Sequence, residues 1–217
     1  MGIVGIKSAE SARFRSNIYG LLATVFRQEP SEALITELRD PRLSGVISDL
    51  CVDLGEVFYS TPENELRETL GLEFTRLFVG PDSHISAHES VFAEMDSGIG
   101  GLWGVRTVEV KNFIETTGLD YNPEFTGVPD HISVELEFMQ RLTEWEADKW
   151  NQDDRENAEY CQSIQRMFLE QHLLPWAPQF CDVVIAQAEI PFYRAMSELA
   201  KNYLEVEQQS ITTDVAA

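Results

Sequence analysis

Apolar residues in this chain recur at the 3.6-residue period of an α-helix over nearly its whole length, and no run alternates polar and apolar as a strand does. Ile18, Leu21, Leu22, Val25 and Phe26 fall at i, i+3, i+4, i+7 and i+8, which predicts a helix over residues 8–27 that ends before Pro30. Ser31 is placed to cap a short helix through Leu34, Ile35 and Leu38, stopped by Pro41. A third helix is expected over residues 44–58. A fourth opens on Thr61 as N-cap with Pro62 as first helical residue, and carries Leu66, Leu70, Phe74, Leu77 and Phe78 down to Gly80-Pro81. Later helices are expected over 107–117, 130–150, 153–172, 179–188 and 191–208, with Pro175 and Pro178 as a break and residues 209–217 as a frayed polar tail. Two stretches read as irregular: 79–104, with glycines at 98, 100, 101 and 104, and the one holding Pro123, Gly127 and Pro129. The pattern predicts an all-α fold, a single-domain helical bundle of about eight or nine helices spanning residues 1–208.

The 217 residues carry 37 acidic against 16 basic side chains, a net charge of −21. No two basic residues are adjacent, so the phosphate-binding clusters of a nucleic-acid partner are missing. The three cysteines, Cys51, Cys161 and Cys181, form no CxxC pair, which argues against a zinc site or a disulfide framework and for a reducing compartment, the cytoplasm. Apolar runs such as 183–188 stop far short of the roughly 18 residues a membrane span requires. The start of the chain, with Lys7, Glu10, Arg13 and Arg15, does not read as a secretory signal.

The most informative helix is 130–150. At about 100° per residue, His131 and Glu135 fall in the middle of its apolar face, between Val134, Phe138 and Leu142 on one side and Ile132, Leu136 and Met139 on the other. A polar side chain there needs a partner or a ligand. One reading makes Asp130 the N-cap and lets His131 and Glu135 satisfy each other one turn apart. The other is an acidic, partly apolar cleft suited to a cationic peptide. Glu73 borders its own helix's apolar face, which fits a buried structural partner.

Metal chemistry would draw on His84 and His88, four residues apart beside Asp82 and Glu89, with His131 joining from elsewhere. Neither HExxH nor a Cys/His ligand set is present, and none of the four histidines follows a glutamate at the Glu-x-x-His spacing of di-iron bundles. The glycines at 98–104 lack the lysine of a phosphate loop, and no GxSxG elbow occurs.

Four blocks in order resemble the TorD/DmsD family of cytoplasmic chaperones: Glu73-Phe74-Thr75-Arg76-Leu77-Phe78-Val79-Gly80-Pro81, Glu89-Ser90-Val91-Phe92, Pro129-Asp130-His131 leading into Glu135-Leu136-Glu137-Phe138-Met139, and Phe168 with His172-Leu173-Leu174-Pro175-Trp176. The resemblance implies an all-helical protein, not an enzyme and without a resident cofactor. It implies binding of the twin-arginine signal peptide and apo form of a molybdoenzyme catalytic subunit, a molybdopterin oxidoreductase, assisting cofactor insertion and holding back export. The family's Asp-His pair falls on Asp130 and His131, and its His and Trp on His172 and Trp176. With Glu135 from the helix face, these make the expected peptide site. Phe74 stands where the family commonly has Tyr, and Ala87-His88 where Pro-Tyr is usual. The competing expectation is a helical metalloprotein or enzyme using His131, Glu135, His84 and His88. Monomeric and domain-swapped dimeric forms both fit the resemblance.

Overall fold

Two long helices form the spine. In a computed structural model that describes residues 3–41, 50, 52–80, 84–95, 104–119 and 127–215, helix α1 (Ile3–Arg27) lies antiparallel to a later helix over Ile132–Asn151. Arg13 pairs with Asp148 at one end of this pair, and Arg27 with Glu137 near the other. The Gln140 side chain lies over Gly20: a Cβ there would stand 2.6 Å from Gln140 Nε2, so a larger residue would make that amide move. Ile18, Tyr19, Leu22, Val25 and Phe26 are all buried, as the periodicity requires.

Helix α2 (Glu32–Arg39) starts where expected: the Ser31 hydroxyl accepts from Leu34 N at 3.2 Å, and Leu34, Ile35 and Leu38 are buried. The third predicted helix, 44–58, is corrected only in its described part: residues 42–49 and 51 lie outside the described residues, 52–55 are not helical, and α3 is the short Glu56–Ser60. Gly55 has φ of 81° and its N–H donates to Asp53 Oδ1 at 2.9 Å, a local turn that competes with helix. Thr61 closes α3 rather than capping the next helix, its N–H donating to Val57 O, and Pro62 stands just outside α4 (Glu63–Phe74).

From α4 the chain passes into a wide π-turn, Thr75–Val79. Glu73 is buried as a structural partner. Its carboxylate accepts from Arg76 Nε and Nη2 at 2.7 Å each and from Glu189 N at 2.7 Å, while Arg76 Nη2 also donates to Gln187 O at 2.8 Å. Burial alone would raise this carboxyl, but the guanidinium and the amides hold it below the usual carboxylate range. The first block of the resemblance is thus a clasp joining α4 to the far end of the chain.

The stretch expected to be irregular over 79–104 contains α5 (Glu89–Met95), and α6 (Val105–Thr116) follows; the glycines at 98, 100 and 101 lie outside the described residues. After α7 (Ile132–Asn151), the Asp154 carboxylate caps α8 (Arg155–Phe168) through Asn157 N. The break expected at Pro175 and Pro178 does not occur. A second π-turn, Leu169–Leu173, shifts the bonding so that Leu174 N donates to Leu169 O, and α9 (Leu174–Gln187) restarts with Pro175 in its first turn, where a missing N–H is tolerated. The last helix, α10 (Pro191–Val215), continues through most of the stretch expected to fray; after Pro191 it meets no glycine or proline to stop it.

A polar network crosses the core between α1, α7, α8 and α10. Arg15 pairs with Glu146, donates to Gln165 Oε1 at 2.9 Å and reaches Glu207 at 3.4 Å; Tyr19 Oη donates to Glu207 at 3.0 Å, and Gln165 Nε2 to Glu146 at 2.9 Å. Among the described residues no helix is long and apolar enough to cross a membrane.

Candidate functional site

The starts of α5 and α7 are tied by a two-residue bridge between His88 and His131: Glu89 N donates to Asp130 O at 2.9 Å and Ile132 N to Ala87 O at 2.8 Å. The bridge reverses the capping expected from sequence. Asp130 caps α5, its Oδ2 accepting from Ser90 N at 2.9 Å, and His131 caps α7, its Nδ1 accepting from Ser133 N at 3.2 Å. An Nδ1 that accepts carries no proton, so the ring is the neutral tautomer with its hydrogen on Nε2. Burial, with the neighbouring His88 ring 5.0 Å away, lowers the His131 pKa to about 4. Burial lowers His88 as well.

One turn into α7, Glu135 is fully buried, as its place on the apolar face requires, but it does not pair with His131. Its Oε2 accepts from Trp176 Nε1 at 3.2 Å. Burial first, and then the nearby Glu89 carboxylate, push Glu135 well above the usual range, favouring the neutral acid. Glu89 is 1% exposed; its Oε2 lies 3.0 Å from His172 Nδ1 and its Oε1 3.9 Å from Arg106 Nε. Burial raises Glu89 too, against the pull of His172. The His172 ring is held by Phe168 and Phe113, at 5.0 and 5.6 Å between centroids, and Trp176 packs on Phe92 at 5.6 Å.

The second π-turn sets this arrangement. It carries His172 toward Glu89 and delivers Trp176, one turn on, to Glu135. A histidine expected to serve the dipole of a helix end instead pairs with a buried carboxylate. All five predicted residues, Asp130, His131, Glu135, His172 and Trp176, therefore meet in one cluster, with Glu89 at its centre. Four of them are buried, and His131 is the one that reaches the surface. The open carboxylate-lined cleft expected from the helix wheel is closed here, because the acids turn inward onto an indole, an imidazole and amides.

Four buried oxygens of the cluster have no hydrogen-bond partner: Glu89 Oε1, Ser90 Oγ, Asp130 Oδ1 and Glu135 Oε1. Buried polar atoms are paired in the great majority of cases, so this group holds unused hydrogen-bonding capacity. Sequence reasoning left Glu89 and Arg106 out of the site. Glu89 had a signal, as the first residue of Glu-Ser-Val-Phe; Arg106 had none. His84 is exposed and His88 lies 3.1 Å from Ser86 Oγ. Among the described residues no group of three or more His, Cys, Asp or Glu side chains is arranged to hold a metal ion.

The His131 cap carries a pH signature. In the unfolded chain the ring titrates near 6.5 and in the folded chain near about 4. Between these values the unfolded state holds more protons, so stability falls as pH drops from about 6.5 to about 4, by about 2 kcal/mol after allowance for partial exposure. His131→Asn keeps a capping acceptor but does not titrate. In urea unfolding from pH 7 to 4.5, the wild type is expected to lose stability relative to this variant. Parallel curves would refute the assignment.

Residues 40–182 match the model of the nitrate reductase delta subunit family. The chain belongs to that family. Its members of the TorD/DmsD group are redox-enzyme maturation chaperones rather than enzymes, which displaces the metalloenzyme alternative built on His84, His88, His131 and Glu135. The chain is 26% identical over 212 residues to the chaperone protein TorD of Psychrobacter sp., covering 91% of each. It is 29% identical over 150 residues to the Tat proofreading chaperone DmsD of Salmonella typhi, 69% of this chain and 65% of that one. To the perchlorate reductase assembly chaperone protein of Dechloromonas aromatica it is 27% identical over 210 residues, covering 92% and 91%. The fold matches the crystal structure of a redox enzyme maturation protein from Archaeoglobus fulgidus with a TM-score of 0.59 at 21% identity, over 88% of this chain and 93% of that one. The structural match bears on the fold alone, which is all-helical in keeping with the family.

Proposed function

We propose that this chain is a cytoplasmic proofreading chaperone that binds the twin-arginine signal peptide and the apo form of a molybdopterin oxidoreductase subunit, assisting cofactor insertion and preventing premature export. Similarity to relatives named as TorD and as Tat proofreading chaperones, over most of their length, carries this reading. It acts as one domain over residues 1–208, as a monomer or a dimer, without nucleic acid and without stable membrane insertion.

The chemistry of the cluster supports the same reading. A guanidinium offers planar, paired donors, and carboxylates with unused acceptor atoms in a poorly hydrated setting are its complement. His131 is the partly exposed member of the cluster, Asp130, Glu135, His172 and Trp176 are buried, and binding requires the closed cluster to open; the aromatic surroundings suit the apolar stretch of a signal peptide. The net charge of −21 adds long-range attraction for a cationic segment. Isothermal titration with a twin-arginine peptide and a Lys-Lys control tests the reading. The arginine peptide is expected to bind about ten-fold tighter, since lysine presents a point charge in place of the fork. Equal affinities, or no binding of either, would sink it.

A further inference from the structure

Glu89 is shared unequally. One carboxylate oxygen is taken by His172 at 3.0 Å; the other, Oε1, is buried and accepts no hydrogen bond. The cation beside that free oxygen is the chain's own Arg106, whose Nε lies 3.9 Å away, inside ion-pair range but too far for a hydrogen bond. The Arg106 side chain is 43% exposed and that of Glu89 1%, so the guanidinium links solvent to the buried carboxylate. It also has a second partner: Nη1 donates to Glu109 Oε2 at 3.1 Å one turn along α6. A guanidinium leaving Glu89 would therefore keep an acid to rest on.

Val105, which precedes Arg106 at the start of α6, is 71% exposed; Val108, 50% exposed, lies on the other side of that helix. A carboxylate with an unused oxygen, reached past exposed aliphatic surface, matches a peptide in which arginine precedes an apolar run.

We propose that Arg106 is an internal occupant of a guanidinium subsite at Glu89, and that an arginine of the client peptide displaces it onto Glu109. This rests on the peptide-binding function above and names one of its specificity residues. Both guanidinium groups need the same oxygen, so they exclude each other, and the apparent affinity of the peptide is lowered by the fraction of time Arg106 holds the place. Arg106 is thus a positioning residue that sets a threshold, turning away weakly cationic or mismatched peptides.

The test is titration of the twin-arginine peptide into the full chain as wild type, R106Q, E89Q and R106Q/E89Q, with a melting curve for each. R106Q is expected to bind about two- to five-fold tighter than wild type, the size set by one partly exposed ion pair. A residue that merely supported the fold would give no gain. E89Q is expected to weaken binding, and R106Q/E89Q to bind no tighter than E89Q. Wild type that binds while R106Q binds equally or more weakly overturns the subsite and leaves the chaperone reading standing; so does a gain that persists without Glu89. Wild type that does not bind the peptide overturns both. If E89Q melts below the titration temperature, the comparison of R106Q with wild type decides alone.

Discussion

Arg15→Ala is expected to cost about 3–5 kcal/mol of folding stability, measured by urea unfolding at pH 7. The Arg15 side chain is 21% exposed, and the acids it serves, Glu146 and Glu207, are 3% and 7% exposed. Burial works against the Arg15 cation, yet Glu146 and then Glu207 more than offset this and raise its pKa. Removing the guanidinium leaves two buried carboxylates without their shared cation, with Tyr19, Trp150, Gln162 and Gln165 as their remaining donors. The damage should lie in the uncompensated charge rather than in lost packing. Arg15→Met should therefore be nearly as damaging as Arg15→Ala, and adding Glu146→Gln and Glu207→Gln to Arg15→Met should restore most of the loss. A loss below about 1 kcal/mol for Arg15→Ala would mean that the network is solvated and holds no helices together.

The helical class, the buried faces of α1, α2 and α7, and the meeting of Asp130, His131, Glu135, His172 and Trp176 in one place were legible in the residues. The reason differs for each. Ile18 to Phe26 show their burial through spacing alone, because a helix repeats its face every 3.6 residues. Glu135 stood out as an acid on an apolar face. His172 and Trp176 came through the family blocks, since nothing in periodicity links them to residues some forty positions earlier.

What was not legible had non-local causes. Asp130 and His131 exchange the roles expected of them because the bridge to Ala87 and Glu89 places Asp130 at the start of a helix that precedes it in sequence. Pro175 looked like a break because local rules count on four-residue bonding; the π-turn changes that register and absorbs the proline. Glu89 lay in a stretch that reads as loop, and its helix has only seven residues in which to show a period. The closed state of the cluster follows from pairings with Trp176 and His172 that no single helix face reveals.

Phe168→Ala is the second large loss to expect, about 3–5 kcal/mol. The ring is fully buried at the last residue of α8, 4.7 Å from Phe138, 5.3 Å from Phe113 and 5.0 Å from the His172 ring. Truncation opens a cavity among three helices that cannot close without moving one of them. It also removes a wall that holds His172 against Glu89, so its consequence is expected to reach the site. Phe168→Leu refills most of the volume and should cost under about 2 kcal/mol. At a temperature where both variants are folded, peptide binding should weaken several-fold in Phe168→Ala and change little in Phe168→Leu, because only the first frees the imidazole. Melting curves and titrations read the two effects separately. If Phe168→Ala loses stability but binds as wild type, the orientation of His172 comes from Glu89 and Phe113 alone, and the aromatic wall serves the core and not the site.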